Sequence, residues 1–145
     1  MAAAYFLWPV PVLVVSRTGP AGELWSGSVM GGLDFRLDYI HSVERTPVAE
    51  FYEATPGGLR MIRMEFVSQG AGLPSTGYTL EGGRFVSRPD RRLIVLPIRV
   101  SRAAAPVLTV GGARLDLVAR AGDGAEVTVA LRRRPRLTAR LRVLY

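Results

Sequence analysis

Between positions 39 and 52 the chain runs Tyr-Ile-His-Ser-Val-Glu-Arg-Thr-Pro-Val-Ala-Glu-Phe-Tyr, a stretch that holds its one histidine, two tyrosines and two glutamates. Imidazole, carboxylate and phenol groups move protons, accept cations and orient ligands. Glu44 and Glu50 offer oxygens to a hard cation, while His41 with Arg45 suits a small carboxylate, a small anionic ligand. Ser42 adjoins His41, but neighbouring side chains of an extended strand point to opposite faces and make no nucleophile and base pair. A small Ser/His hydrolase would instead draw Ser68 or Ser75 to His41, with Glu50 orienting the ring. The chain lacks the Gly-x-Ser-x-Gly elbow that would support this, so no catalytic residue is assigned. The plainest role for Tyr39, His41, Glu50 and Tyr52 is a hydrogen-bonded network pinning a β corner. A ligand site at the same place is the functional alternative.

Strands must deliver these groups. Leu33, Phe35, Leu37 and Tyr39 alternate with Asp34, Arg36 and Asp38, and a period of two predicts a half-buried strand. Carried forward, the alternation sets His41 on the same inward face. An even-length reversal over residues 43–46 then places Tyr39 opposite Glu50 and His41 opposite Val48, because directly paired residues share a face. Tyr39, His41, Glu50 and Tyr52 would form one wall. Burying a carboxylate alone is too costly, so these groups satisfy one another, hold a ligand or line a wet cleft.

A second polar segment, Ser68-Gln69-Gly70-Ala71-Gly72-Leu73-Pro74, frames the same site. Gly70 and Gly72 permit close backbone approach. With no helix and no lysine after it, the segment is not a P-loop but an irregular loop shaped for packing.

Charge is unevenly placed. Residues 1–73 carry five arginines against seven acids, residues 74–145 fourteen against five, and no cation is a lysine. The basic half would attract an anionic membrane surface, nucleic acid or an acidic partner. Its densest run, Arg132, Arg133, Arg134 and Arg136, is expected at a hairpin tip before a last strand at 137–143, as a solvated turn or a phosphate contact. A basic nucleic-acid-binding β domain is the weaker alternative, because no aromatic residue lies between Phe85 and Tyr145. With no cysteine and one histidine, disulfides are excluded and the ligand set for zinc is poor. No metal or other cofactor is expected.

The remaining pattern is of short strands cut by glycine and proline. Residues 12–16 and 23–29 form an opening hairpin. Residues 59–67 place Ile62, Met64 and Phe66 on one face. Residues 88–92 make a solvated turn, and 93–100 a strand buried on both faces, with Pro97 at a sheet edge or bulge. Residues 107–110 and 114–118 flank Gly111-Gly112-Ala113 as a hairpin. No window sustains a helical period beyond a turn or two. The fold class is all-β: a single-domain antiparallel β-sandwich or barrel of roughly nine to eleven short strands over residues 1–145. Residues 1–11 are set apart as an apolar arm or remnant anchor. The uncharged residues 1–15 are shorter than the roughly 20 needed to span a bilayer and are broken by Pro9 and Pro11. They also lack the basic start and cleavage site of a secretory signal.

Tyr39-Ile40-His41-Ser42-Val43-Glu44, Thr46-Pro47-Val48, Glu50-Phe51-Tyr52 and the loop from Ser68 to Pro74 resemble the signature of the DUF1850 family, a bacterial domain of unknown function. The resemblance implies genes lying beside the fused permeases of tripartite ATP-independent periplasmic (TRAP) transporters. A transporter permease or solute receptor is therefore an implied partner, and a membrane-associated or extracytoplasmic placement is implied by the family's amino-terminal anchors. Residues 1–15, short and proline-broken, depart from that anchor pattern. The expected function is a non-enzymatic accessory or small-ligand-binding β domain working with such a transporter.

Overall fold

The computed structural model describes residues 8–19 and 22–136. In chain order the strands are β1 (Pro9–Arg17), β2 (Glu23–Ser28), β3 (Leu33–Ile40), β4 (Pro47–Thr55), β5 (Gly58–Phe66), β6 (Tyr78–Glu81), β7 (Arg84–Ser87), β8 (Arg91–Leu93), β9 (Val95–Arg99), β10 (Val107–Val110) and β11 (Ala113–Asp116). A short helix, α1 (Leu117–Ala121), precedes β12 (Glu126–Pro135). They form an all-β sandwich. A four-stranded sheet in the order β2-β1-β12-β9 faces an eight-stranded sheet in the order β11-β10-β3-β4-β5-β7-β6, with β8 paired to β5. The core lies between them. Leu13, Val15, Val127 and Val129 from the smaller sheet meet Phe35, Tyr52, Phe66 and Leu108 from the larger. Each fully buried large side chain of this kind contributes about 1.5–3 kcal/mol of transfer free energy.

The alternating residues of β3 behave as their pattern predicts: Phe35 and Leu37 are buried, Asp34 and Arg36 exposed or nearly so. The register with β4 differs from the expected one. Tyr39 pairs with Val48, Leu37 with Glu50 and Phe35 with Tyr52. The reversal is wider than 43–46, since the His41 N–H donates to Thr46 O at 2.9 Å and the Arg45 N–H donates to His41 O at 2.9 Å. Arg45 takes a positive φ of 52° to close it. A slip of two residues keeps every strand side chain on its face. Tyr39, Glu50 and Tyr52 therefore still share one wall, but His41 lies beyond the end of β3.

Other departures have local causes. Proline is tolerated where a strand lacks a neighbour to donate to: β1 starts at Pro9 rather than at residue 12, because β2 pairs only from Val12 onward and beyond it Pro11 only accepts, from the Val29 N–H at 3.4 Å. So residues 9–11 are strand, not arm; residues 1–7 lie outside the described residues. In β5 the pairing shifts between Phe51 and Tyr52, which leaves Ile62 as the extra residue of a bulge. Met61 and Met64 both turn inward, and Ile62, expected with Met64 and Phe66, does not. Leu117 and Val118, expected in a strand, belong to α1, where Asp116 caps the helix by accepting from the Ala119 N–H at 3.0 Å.

The segment 93–100 is not one strand buried on both faces. Its chain changes sheets. Arg91 and Arg92, expected in a turn, pair with Met61 and Arg60 as β8, and beyond the exposed Ile94 the chain joins the smaller sheet as β9. There Leu96 and Ile98 are buried while Val95, Pro97 and Arg99 are exposed, the alternation of an edge strand. Pro97 does sit on an edge, as expected. The strand buried on both faces is β1, where Val12, Leu13, Val14 and Val15 are all buried.

Candidate functional site

On the inner face of the larger sheet, the β3–β4 register sets Tyr39 and Tyr52 on either side of Glu50. The Tyr39 O–H donates to Glu50 Oε1 at 2.9 Å and the Tyr52 O–H to Glu50 Oε2. Tyr52 is fully buried and its ring stacks on Phe35, with centroids 4.9 Å apart and planes 7° from parallel. Glu50 is itself 8% exposed. Burial pushes both phenols well above their ordinary 10.0, and the charge and hydrogen bonds of Glu50 push the same way; Arg91 opposes the rise at Tyr52. Both phenols stay protonated and spend their one hydrogen on the carboxylate.

Above this floor lies a cavity of about 340 Å³. Leu37, Met61 and Leu93 of the larger sheet wall it on one side, Leu96 and Ile98 of the smaller on the other, with the exposed Arg91 and Arg99 at its lip. The cavity exists because the chain leaves β8 for β9 at Ile94, bridging the two sheets instead of filling the space between them. Sequence reasoning missed both arginines by assigning Arg91 to a solvated turn and Arg99 to a plain strand. The available signal was an apolar run, Leu93 to Ile98, bracketed by arginine at each end. Among the described residues neither guanidinium makes an ion pair.

His41 is not beside Glu50. It belongs to a second cluster, where the loop at 41–46 docks on the glycine-rich loop. His41 Nε2–H donates to Ala71 O at 2.9 Å, and Nδ1 accepts from the Glu44 N–H at 3.2 Å, a pairing that selects the neutral Nε2–H tautomer. Thr46 and Ser68 share a hydrogen bond of 2.8 Å between their hydroxyls. Glu44 lies against Gly70 so closely that a Cβ there would come 2.6 Å from Glu44 Oε1. Gly72 supplies a positive φ of 84°, and the Leu73 N–H donates to Gly70 O at 3.1 Å. The loop thus packs against residues 41–46. The hydrolase arrangement does not form: Ser68 bonds Thr46, and both ring nitrogens of His41 are spent on backbone.

A cleft of about 570 Å³ adjoins the cavity, reached by His41, Ser42, Ser101 and Asp123, and the two share Tyr39, Arg99 and Ala104. Glu44, Arg45, Ser68, Gly70 and Gly72 line neither.

The arginine run also differs from its expected place. Arg132, Arg133 and Arg134 are within β12, paired with Val12, Pro11 and Val10, and Arg134 bonds Glu23. The long apolar β1 offers partners that carry the strand past the expected tip. The strand expected at 137–143 lies outside the described residues. Among the described residues no group of three or more His, Asp or Glu is placed to hold a metal ion, and no helix is long and apolar enough to cross a membrane.

Comparison with curated proteins and with solved structures returns no match. Residues 35–117, more than half of the chain, match the model of the Domain of unknown function (DUF1850). That span carries the Glu50 floor, the cavity wall from β8 and β9 and both docked loops, and the protein belongs to the DUF1850 family.

Proposed function

We propose that this domain binds a small ligand in the cavity between its sheets, over Glu50, and that it serves a solute transporter as an accessory. The observation that carries the binding role is a buried carboxylate that lines an open volume of about 340 Å³ and makes no ion pair among the described residues. A carboxylate kept for packing alone would be enclosed or ion-paired, since leaving it at a void forfeits both solvation and contacts. The volume is at the small end of the range for ligand pockets, about 300–1,000 Å³. The transporter role rests on the family resemblance and on the fit of such a pocket to a small organic solute.

The test is ligand-detected NMR of the purified protein with a mixture of small mono-, di- and aminocarboxylates. Ala104, half-buried where cavity and cleft meet, is replaced by Phe to fill the mouth. Binding signals in the wild type that vanish in Ala104→Phe, with the melting temperature unchanged, are the expected result. Identical signals in both proteins, or none in either, would remove the cavity as a ligand site. Solute uptake by the native host carrying Ala104→Phe reads the transporter role: unchanged uptake speaks against it.

A further inference from the structure

We infer that the ligand of this cavity is a short aliphatic zwitterion, bound with an ammonium group on the Glu50 floor and a carboxylate at the Arg91 and Arg99 lip. This rests on the ligand-binding reading above and adds the chemistry of its two ends.

The floor is made only of acceptors. Tyr39 and Tyr52 have each given their hydroxyl hydrogen to Glu50, so Glu50 and the half-buried Tyr39 offer the cavity only acceptors, over a fully buried Tyr52. A hydroxyl that was free to rotate would be neutral to the ligand's polarity; these two are not. A group that has donors and no acceptors fits such a floor, and an ammonium has three N–H donors and a charge opposite to that of Glu50. The lip is the reverse, since guanidinium groups only donate. Arg91 and Arg99 are exposed, line the same cavity and make no ion pair among the described residues. Between floor and lip the walls are apolar: Leu37, Met61, Leu93, Leu96 and Ile98. Negative depth, apolar middle and positive mouth call for a molecule whose two charges are separated by methylene groups.

Three probes with matched spacers test this: 6-aminohexanoate, hexanoate and hexylamine, each titrated calorimetrically into the wild-type protein. We expect 6-aminohexanoate to bind at least about tenfold more tightly than either truncated probe. Glu50→Gln should bring its affinity down to that of hexanoate. Because Glu50→Gln disturbs a buried network, Arg91→Ala/Arg99→Ala at the exposed lip is the second variant, expected to bring it down to that of hexylamine while leaving the fold intact. Equal binding of 6-aminohexanoate and hexanoate, or of 6-aminohexanoate and hexylamine, overturns the zwitterion assignment while the cavity remains a ligand site. No saturable binding of any probe also overturns it. The ligand-binding reading fails separately, through carboxylate signals that survive Ala104→Phe or are absent throughout.

Discussion

Glu50 and His41 belong to one hairpin yet are held in opposite ways. His41 and its neighbours are closed: each ring nitrogen has a backbone partner, Thr46 and Ser68 satisfy each other, and Glu44 lies against the backbone of Gly70. Glu50 is held by a phenol on either side and also lines open volume. A polar cluster whose groups are all satisfied within the chain rigidifies a fold. One whose acceptor still lines open volume keeps interaction capacity for something else. The first arrangement joins two loops; the second is the place proposed for a ligand.

The contrast can be broken by experiment. The largest effect is expected at Tyr52, the fully buried ring stacked on Phe35: Tyr52→Ala should cost about 4 kcal/mol in denaturant unfolding, from the cavity it leaves and the hydrogen bond it removes. A cost under about 1 kcal/mol would mean that the floor is not packed as described. Alkaline titration comes next. Tyr39 and Tyr52 have pKa values raised on folding, so their contribution is complete below the ordinary 10.0 and is lost as pH climbs above it. The fully buried Tyr52 alone should lower stability by about 1.4 kcal/mol for each pH unit above that point. Because the chain has neither lysine nor cysteine, few other groups titrate there. A melting temperature flat across this range would contradict the buried pair.

His41→Ala should cost about 1 kcal/mol, the net worth of its hydrogen bonds at a partly solvated site. Ligand binding should be unchanged, and its loss would erase the distinction between the two clusters. The smallest effect on stability is expected from Tyr39→Phe/Glu50→Met/Tyr52→Phe, which removes the polar floor as a unit. Replacing a buried polar set with apolar groups of similar volume is commonly near neutral or stabilising. This variant should melt within a few degrees of the wild type, bind 6-aminohexanoate no more tightly than hexanoate, and lose the alkaline transition. A marked destabilisation would make the floor a structural network after all.

Much of this was legible beforehand. The alternation in residues 33–39, the glycine pair at Gly111-Gly112 and the breaks at prolines announced an all-β chain and placed several of its hairpins. Parity alone put Tyr39, Glu50 and Tyr52 on one wall, and it survived a register error of two residues because side-chain direction repeats every second position. The bulge was written in Leu59-Arg60-Met61-Ile62-Arg63-Met64, where the alternation skips a beat at Ile62, though it was read as unbroken. His41 was misplaced because periodicity carries no mark of where a strand stops pairing.

Residue order determined which side chains face the same way, since that depends only on the pleat of a single strand. Only the tertiary structure decided which of them remain open. Whether β3 pairs through Ile40 or beyond, whether the chain crosses sheets at Ile94, and whether two arginines line the same cavity as a carboxylate all follow from contacts between segments far apart in the chain. Those contacts are settled by the packing of both sheets at once, which no local pattern encodes.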